Sequence, residues 1–87
     1  MAYVYLPSSL ARLFPSVPRR LEVEAGTVHE VIAQLDVRWP GMSSRLCDAG
    51  PSLRQHINIF VDGERATLLT PVAPAAEVLI VPAVSGG

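Results

Sequence analysis

Few residues in this 87-residue chain have the type and position to do chemistry. The first group is the ending Val81-Pro82-Ala83-Val84-Ser85-Gly86-Gly87, where the Gly87 carboxylate terminates two residues that lack a Cβ. At about 7% glycine usage two terminal glycines arise by chance in roughly one chain in 200, so their placement must decide what they mean. Cys47 is the one thiol. It can be read as a persulfide or thioester site, or as the small apolar residue that a lone cysteine usually is. A single cysteine leaves no internal disulfide and no zinc site of paired cysteines. His29 and His56 lack neighbouring cysteines or carboxylates at ligand spacing, so no metal is expected. Asp62 and Glu64 are accounted for by turn chemistry. No nucleophile–base constellation and no phosphate loop is present, so the chain is not expected to be an enzyme in its own right.

The cations carry a further chemical fact. All seven basic residues are arginine and lysine is absent. The chain therefore offers no side-chain amine as a Schiff-base nucleophile or isopeptide acceptor. The net charge of -1 argues against nucleic acid, which calls for a basic stripe. No basic segment followed by an apolar one opens the sequence, so no signal peptide is expected. The most apolar stretch, Val78 to Val84, is too short to span a bilayer. A cytoplasmic protein without membrane contact is the expectation. With 49% apolar and 17% charged residues, one small folded domain is expected.

The elements that must position these groups follow from periodicity. Ala2 to Leu6 alternates as a strand, with Val4 and Leu6 on one face and Tyr3 and Tyr5 on the other. Ser8 to Pro18, punctuated by Pro15 and Pro18, is expected to be irregular. Arg19 to Glu24 alternates again, with Leu21 and Val23 facing one way, and can pair with the first strand as a long-looped hairpin. Gly26-Thr27 opens a helix, with Thr27 and Glu30 at capping-box spacing. Val28, Val31, Ile32 and Leu35 form one apolar stripe along it. Pro40 disfavours helix through Trp39, which reads as a packing residue at the helix end. Ser43 to Asp48 can add a short helical turn, followed by a loop over Asp48 to Pro51. His56 to Val61 is a strand, Asp62-Gly63 a two-residue type I′ turn, and Glu64 to Thr67 the returning strand. Glu77 to Val81, apolar on both faces, reads as a central strand. One helix across one mixed sheet is an α+β fold, and by itself it carries no function.

The tail directly follows that central strand. Together with the hairpin Asn58-Ile59-Phe60-Val61-Asp62-Gly63-Glu64 and the Gly26-Thr27 helix start, it resembles the MoaD/ThiS family of sulfur carriers. The resemblance runs over essentially the whole chain. Ser44 to Glu64 and Ile80 to Gly87 look most similar to CysO-type carriers used in cysteine synthesis. It implies a β-grasp (ubiquitin-like) domain over residues 1–83, with a mixed four- to five-stranded sheet, and a flexible Gly-Gly tail over residues 84–87. It also implies that the Gly87 carboxylate is adenylated with ATP by an E1-like enzyme and then becomes a thiocarboxylate. Glycines permit close approach in a narrow partner channel, Val84 and Ser85 extend the reach, and Ser85 and Gly86 form the tail before Gly87. The chain itself would bind no cofactor, since ATP is used by the activating partner. The implied partners are that adenylating enzyme, a sulfur donor and a downstream sulfur-accepting synthase. A JAMM-type protease is a further partner class.

The sheet face turned away from the helix is a second candidate site. If Val78 and Ile80 pack on the helix, Leu79 and Val81 point outward, and Phe60 joins them by alternation. The corresponding positions of ubiquitin form its apolar docking patch, and an exposed apolar cluster marks a partner surface. The competing expectation is that the Ser8 to Pro18 segment covers it. Arg65 can fringe the patch or simply be solvated. Three alternatives to the carrier stay open: a ubiquitin-like modifier conjugated through Gly87, a small subunit of molybdopterin synthase, and a plain interaction module.

Overall fold

Alternation and capping translate directly into the architecture. The structure is a computed structural model and describes residues 1–47, 53–54 and 57–82. Strand β1, Ala2–Tyr5, buries Ala2 and Val4 and leaves Tyr3 and Tyr5 half-buried on the other side. Strand β2, Arg20–Val23, runs antiparallel to it and buries Leu21 and Val23. Strands β3, Ile57–Val61, and β4, Glu64–Ala66, form the hairpin. Asp62 and Gly63 between them have φ of 51° and 86°, the two positive values that a type I′ turn requires. Strand β5, Glu77–Pro82, pairs parallel to β1 and antiparallel to β3. The five-stranded sheet has the order β2-β1-β5-β3-β4, which puts β5 at its centre, as its two-sided apolarity predicts.

The segment after β1 departs from the sequence expectation. Ser8–Leu13 is a short helix, α1, where irregular chain was expected. Pro7 precedes it in extended conformation, and the Phe14 N–H closes it onto the Leu10 carbonyl. Leu10 is buried and Phe14 packs against the core, so two side chains one turn apart hold a turn of helix that Pro15 then stops. Proline spacing obscured this in the sequence, because Pro7 and Pro15 bracket the helix without interrupting it.

Helix α2, Val28–Arg38, lies across the sheet through Val28, Val31, Ile32 and Leu35, all buried. The Glu30 N–H donates to Thr27 Oγ1 at 3.2 Å, and Glu30 Oε1 accepts from the Gly26 N–H at 2.6 Å. Two donors at the helix start are thus satisfied. The Val28 and His29 N–H groups donate to the Thr70 and Leu68 carbonyls, which fastens the loop before β5 to the same helix end. The turn after Trp39 is held by Asp36, whose carboxylate accepts from the Gly41 N–H at 3.1 Å and the Ser43 N–H at 2.9 Å. These bonds, Ser43 foremost, hold the Asp36 carboxyl below its usual value of 3.8. Gly41 has φ of 100°, a conformation that glycine adopts without strain, and it leads into helix α3, Met42–Leu46. The core joins Leu35, Met42 and Leu46 of the helical layer to Val4, Val23, Ile59, Val78 and Ile80 of the sheet.

Candidate functional site

The outward sheet face is assembled by register. Tyr5 pairs with Arg20 on one side and Leu79 on the other, Leu79 pairs with Phe60, and Phe60 pairs with Arg65. One row, Arg20–Tyr5–Leu79–Phe60–Arg65, therefore crosses all five strands on a single face. Leu79 is 44% exposed, which is unusual for the centre of a sheet, while Phe60 and Val81 are half-buried. An open groove of about 530 Å³ runs between Tyr5, Phe60, Gly63, Glu77 and Leu79. A second, of about 520 Å³, lies where β5 ends, between Pro7, Ser8, Arg20, Val81 and Pro82.

The three positions expected at a docking patch thus share one face, and Phe60 and Leu79 are direct cross-strand partners. Val81 stands one step further along β5, opposite Asn58. The Ser8 to Pro18 segment packs on the helical layer and leaves this face open. Leu10 and Val17 enter the core, and Ser16 Oγ accepts from Trp39 Nε1 at 2.9 Å beside the end of α2. From the start of that segment, Pro7, Ser8 and Ser9 fringe the patch.

Sequence reasoning missed Tyr5 and Arg20. The alternation of β1 had already turned Tyr5 away from the core. What the sequence did not give was that β1 lies beside β5, a non-local pairing with no short-range signal. Polar contacts order this face. The Arg20 guanidinium lies over the Tyr3 ring at 5.0 Å and the Tyr5 ring at 5.8 Å. The Tyr5 hydroxyl donates to Glu77 Oε2 at 3.2 Å, and Arg65 donates to Asn58 Oδ1 at 2.8 Å.

The other candidates fall elsewhere. Ser85, Gly86 and Gly87, like His56 and the 83/84 domain boundary, lie outside the described residues. Cys47 is half-buried at the end of α3 and lines a groove with His29, Asp36 and Ser43. Asp62 Oδ1 accepts from the Glu77 N–H at 2.9 Å, a structural duty at the hairpin. Trp39 packs against the core, as a helix-end residue should. Among the described residues no group of three or more His, Cys, Asp or Glu is placed to hold a metal. No helix among them is long and apolar enough to cross a membrane.

Comparison with known proteins identifies the scaffold. CysO of Amycolatopsis orientalis, solved in a BexX/CysO complex, superposes with a TM-score of 0.88 at 27% identity, covering 100% of both chains. CysO of Mycobacterium tuberculosis, described as an antigen, gives 0.86 at 29% identity over 97% of this chain and 100% of its own. SAMP1 of Haloferax volcanii, a small archaeal modifier protein, gives 0.76 at 31% identity over 99% and 98%. No curated protein matches the sequence. Small carriers of the ThiS and CysO kind are generally not themselves enzymes. The sequence model of the ThiS family matches residues 10–87. On that match and on a β-grasp fold shared with CysO, the chain belongs to the ThiS family, as a ubiquitin-like sulfur carrier or modifier close to CysO.

Proposed function

We propose that this chain carries sulfur as a thiocarboxylate on Gly87. A carboxylate is a poor electrophile. An E1-like partner would join it to the α-phosphate of ATP, releasing pyrophosphate and leaving an acyl-adenylate. Attack by a sulfide-level donor then forms the C–S bond, breaks the acyl–phosphate bond and releases AMP. The resulting thiocarboxylate delivers its sulfur to a synthase that builds a metabolite or cofactor. The chain supplies the acyl group and the docking surface, and its partners supply nucleotide, acid and base. The observation that carries this reading is the family match, which runs through residue 87 and so includes the Gly-Gly ending. A central strand leading into that ending supports it, because β5 fixes the origin of the tail against both halves of the sheet. Phe60, Leu79 and Val81, joined by Tyr5, are the proposed docking surface, and Ser85 and Gly86 the reach into the partner.

Incubation with ATP, a sulfur donor and the adenylating enzyme should raise the intact mass by the difference between one sulfur and one oxygen atom. Deleting Gly87 should abolish that shift and leave the melting temperature unchanged. The likeness to SAMP1 favours one second reading, conjugation of Gly87 to amines of other proteins. The lysine-free sequence provides no side-chain amine for chains of this protein upon itself. Higher-mass adducts in native extracts, lost on deleting Gly87, would establish that use.

A further inference from the structure

The outward row ends at both edges of the sheet in an arginine, Arg20 on β2 and Arg65 on β4. Both are exposed. Among the described residues their contacts are two tyrosine rings and an amide oxygen, none of them a carboxylate. Each guanidinium is therefore oriented by a neutral neighbour and, among the described residues, makes no direct ion pair. Between them stand Tyr5, Leu79 and Phe60. Four interstrand steps of about 4.8 Å separate the two arginine backbones by roughly 19 Å. The adjacent row toward the start of β5 has the opposite sign, since Tyr3 pairs with both Glu22 and Glu77. Moving along β5, the surface passes from this acidic row to the arginine-ended row, and then to Val81 and Pro82.

We infer that Arg20 and Arg65 are specificity-determining residues that engage two carboxylates bracketing an apolar patch on the activating protein partner. The inference rests on the carrier reading above and deepens it. The apolar centre supplies affinity, and the two charges select the partner and align it with the row. A partner turned by a quarter turn would bring one of its carboxylates toward Glu77, where like charges repel. The plainer role of these arginines is to blunt the edges of the sheet against edge-to-edge pairing. The two roles separate on charge reversal, because a glutamate blunts an edge as well as an arginine does.

The test is calorimetric titration of the intact carrier against the purified E1-like adenylating enzyme of the same organism, at low and raised NaCl. Arg20→Glu and Arg65→Glu should each weaken binding roughly tenfold, and raised NaCl, which weakens binding of the wild type, should strengthen that of the double variant. Arg38→Glu, on α2, serves as the charge control and should bind like wild type. Leu79→Asp tests the face itself and should weaken binding more than either single reversal. Circular dichroism melts confirm that each variant is folded. Wild-type binding by both reversals, with Leu79→Asp impaired, would overturn the role of the arginines while leaving the docking face standing. Wild-type binding by all of them would overturn the use of this face. Self-association of the carrier, abolished by the same reversals, would assign the row to a second copy of the chain and equally overturn the inference. Thiocarboxylate formation by wild-type carrier, measured separately by mass, reports on the carrier reading alone.

Discussion

The two faces of the sheet are made from the same strands, residue by alternate residue, yet they are built to different rules. On the face under α2, Val4, Val23, Ile59, Val78 and Ile80 are almost wholly removed from water, and no polar side chain among the described residues is buried with them. On the opposite face the three central strands display Tyr5, Leu79 and Phe60 in one row, with Leu79 44% exposed. Stability requires the first arrangement and has no need of the second, since polar residues on a solvated face would serve the fold as well. An apolar row retained at the centre of an open face, with charge at both ends, is the composition of an interface core and its rim.

That contrast can be broken most sharply within one strand. Ile80→Ala removes a fully buried side chain from β5 and should cost about 2–5 kcal/mol, read from urea unfolding. Leu79→Ala, its immediate neighbour, should cost less than about 1 kcal/mol in the same experiment. It should nonetheless weaken partner binding by tenfold or more. If the two variants lost stability equally, the outward face would be part of the fold's support and the functional contrast would collapse.

Smaller effects test the devices that set the register and the helix. Gly63→Ala places a Cβ at φ of 86° in the hairpin that carries Phe60 and Arg65, and should cost about 1–2 kcal/mol. Space is not the cause, since nothing lies within 4 Å of the added atom. Thr27→Ala removes the cap of α2 and should cost about 1 kcal/mol, with no effect on partner binding. Asp36→Asn should lower stability at neutral pH and flatten its fall in acid. The folded-state pKa of Asp36 is depressed, so its contribution is present above the unfolded value near 3.8 and is lost as pH falls through the folded one. Melting curves of the variant should therefore fall less steeply than those of the wild type below pH 3.8, and the two profiles should run parallel above it.

What the sequence disclosed and what it hid divide along the range of the interactions. The capping pair Thr27 and Glu30, the stripe of α2, the Asp62-Gly63 turn and the two-sided apolarity of β5 are local patterns, and each became the element it predicts. Helix α1 was hidden because Leu10 is held by tertiary burial, in a six-residue segment too short for periodicity to declare itself. At the site, Phe60, Leu79 and Val81 were legible from alternation alone. Tyr5, Arg20 and the five-strand row were not, because they depend on a parallel pairing between residues more than seventy positions apart. The chemistry assigned to Gly87 came from resemblance to a family, since no pattern of periodicity or charge in the chain speaks to sulfur.

The central claim is that the Gly87 carboxylate is the reactive group, and intact-mass measurement tests it most directly. Purified carrier is incubated with ATP, a sulfide donor and an E1-like adenylating enzyme already shown to be active on another carrier. The account predicts a mass increase equal to the exchange of one oxygen for one sulfur, localised to the C-terminal peptide and absent when Gly87 is deleted. An unchanged mass with such an enzyme bound to the carrier, or an equal increase in the Gly87-deleted chain, would contradict it.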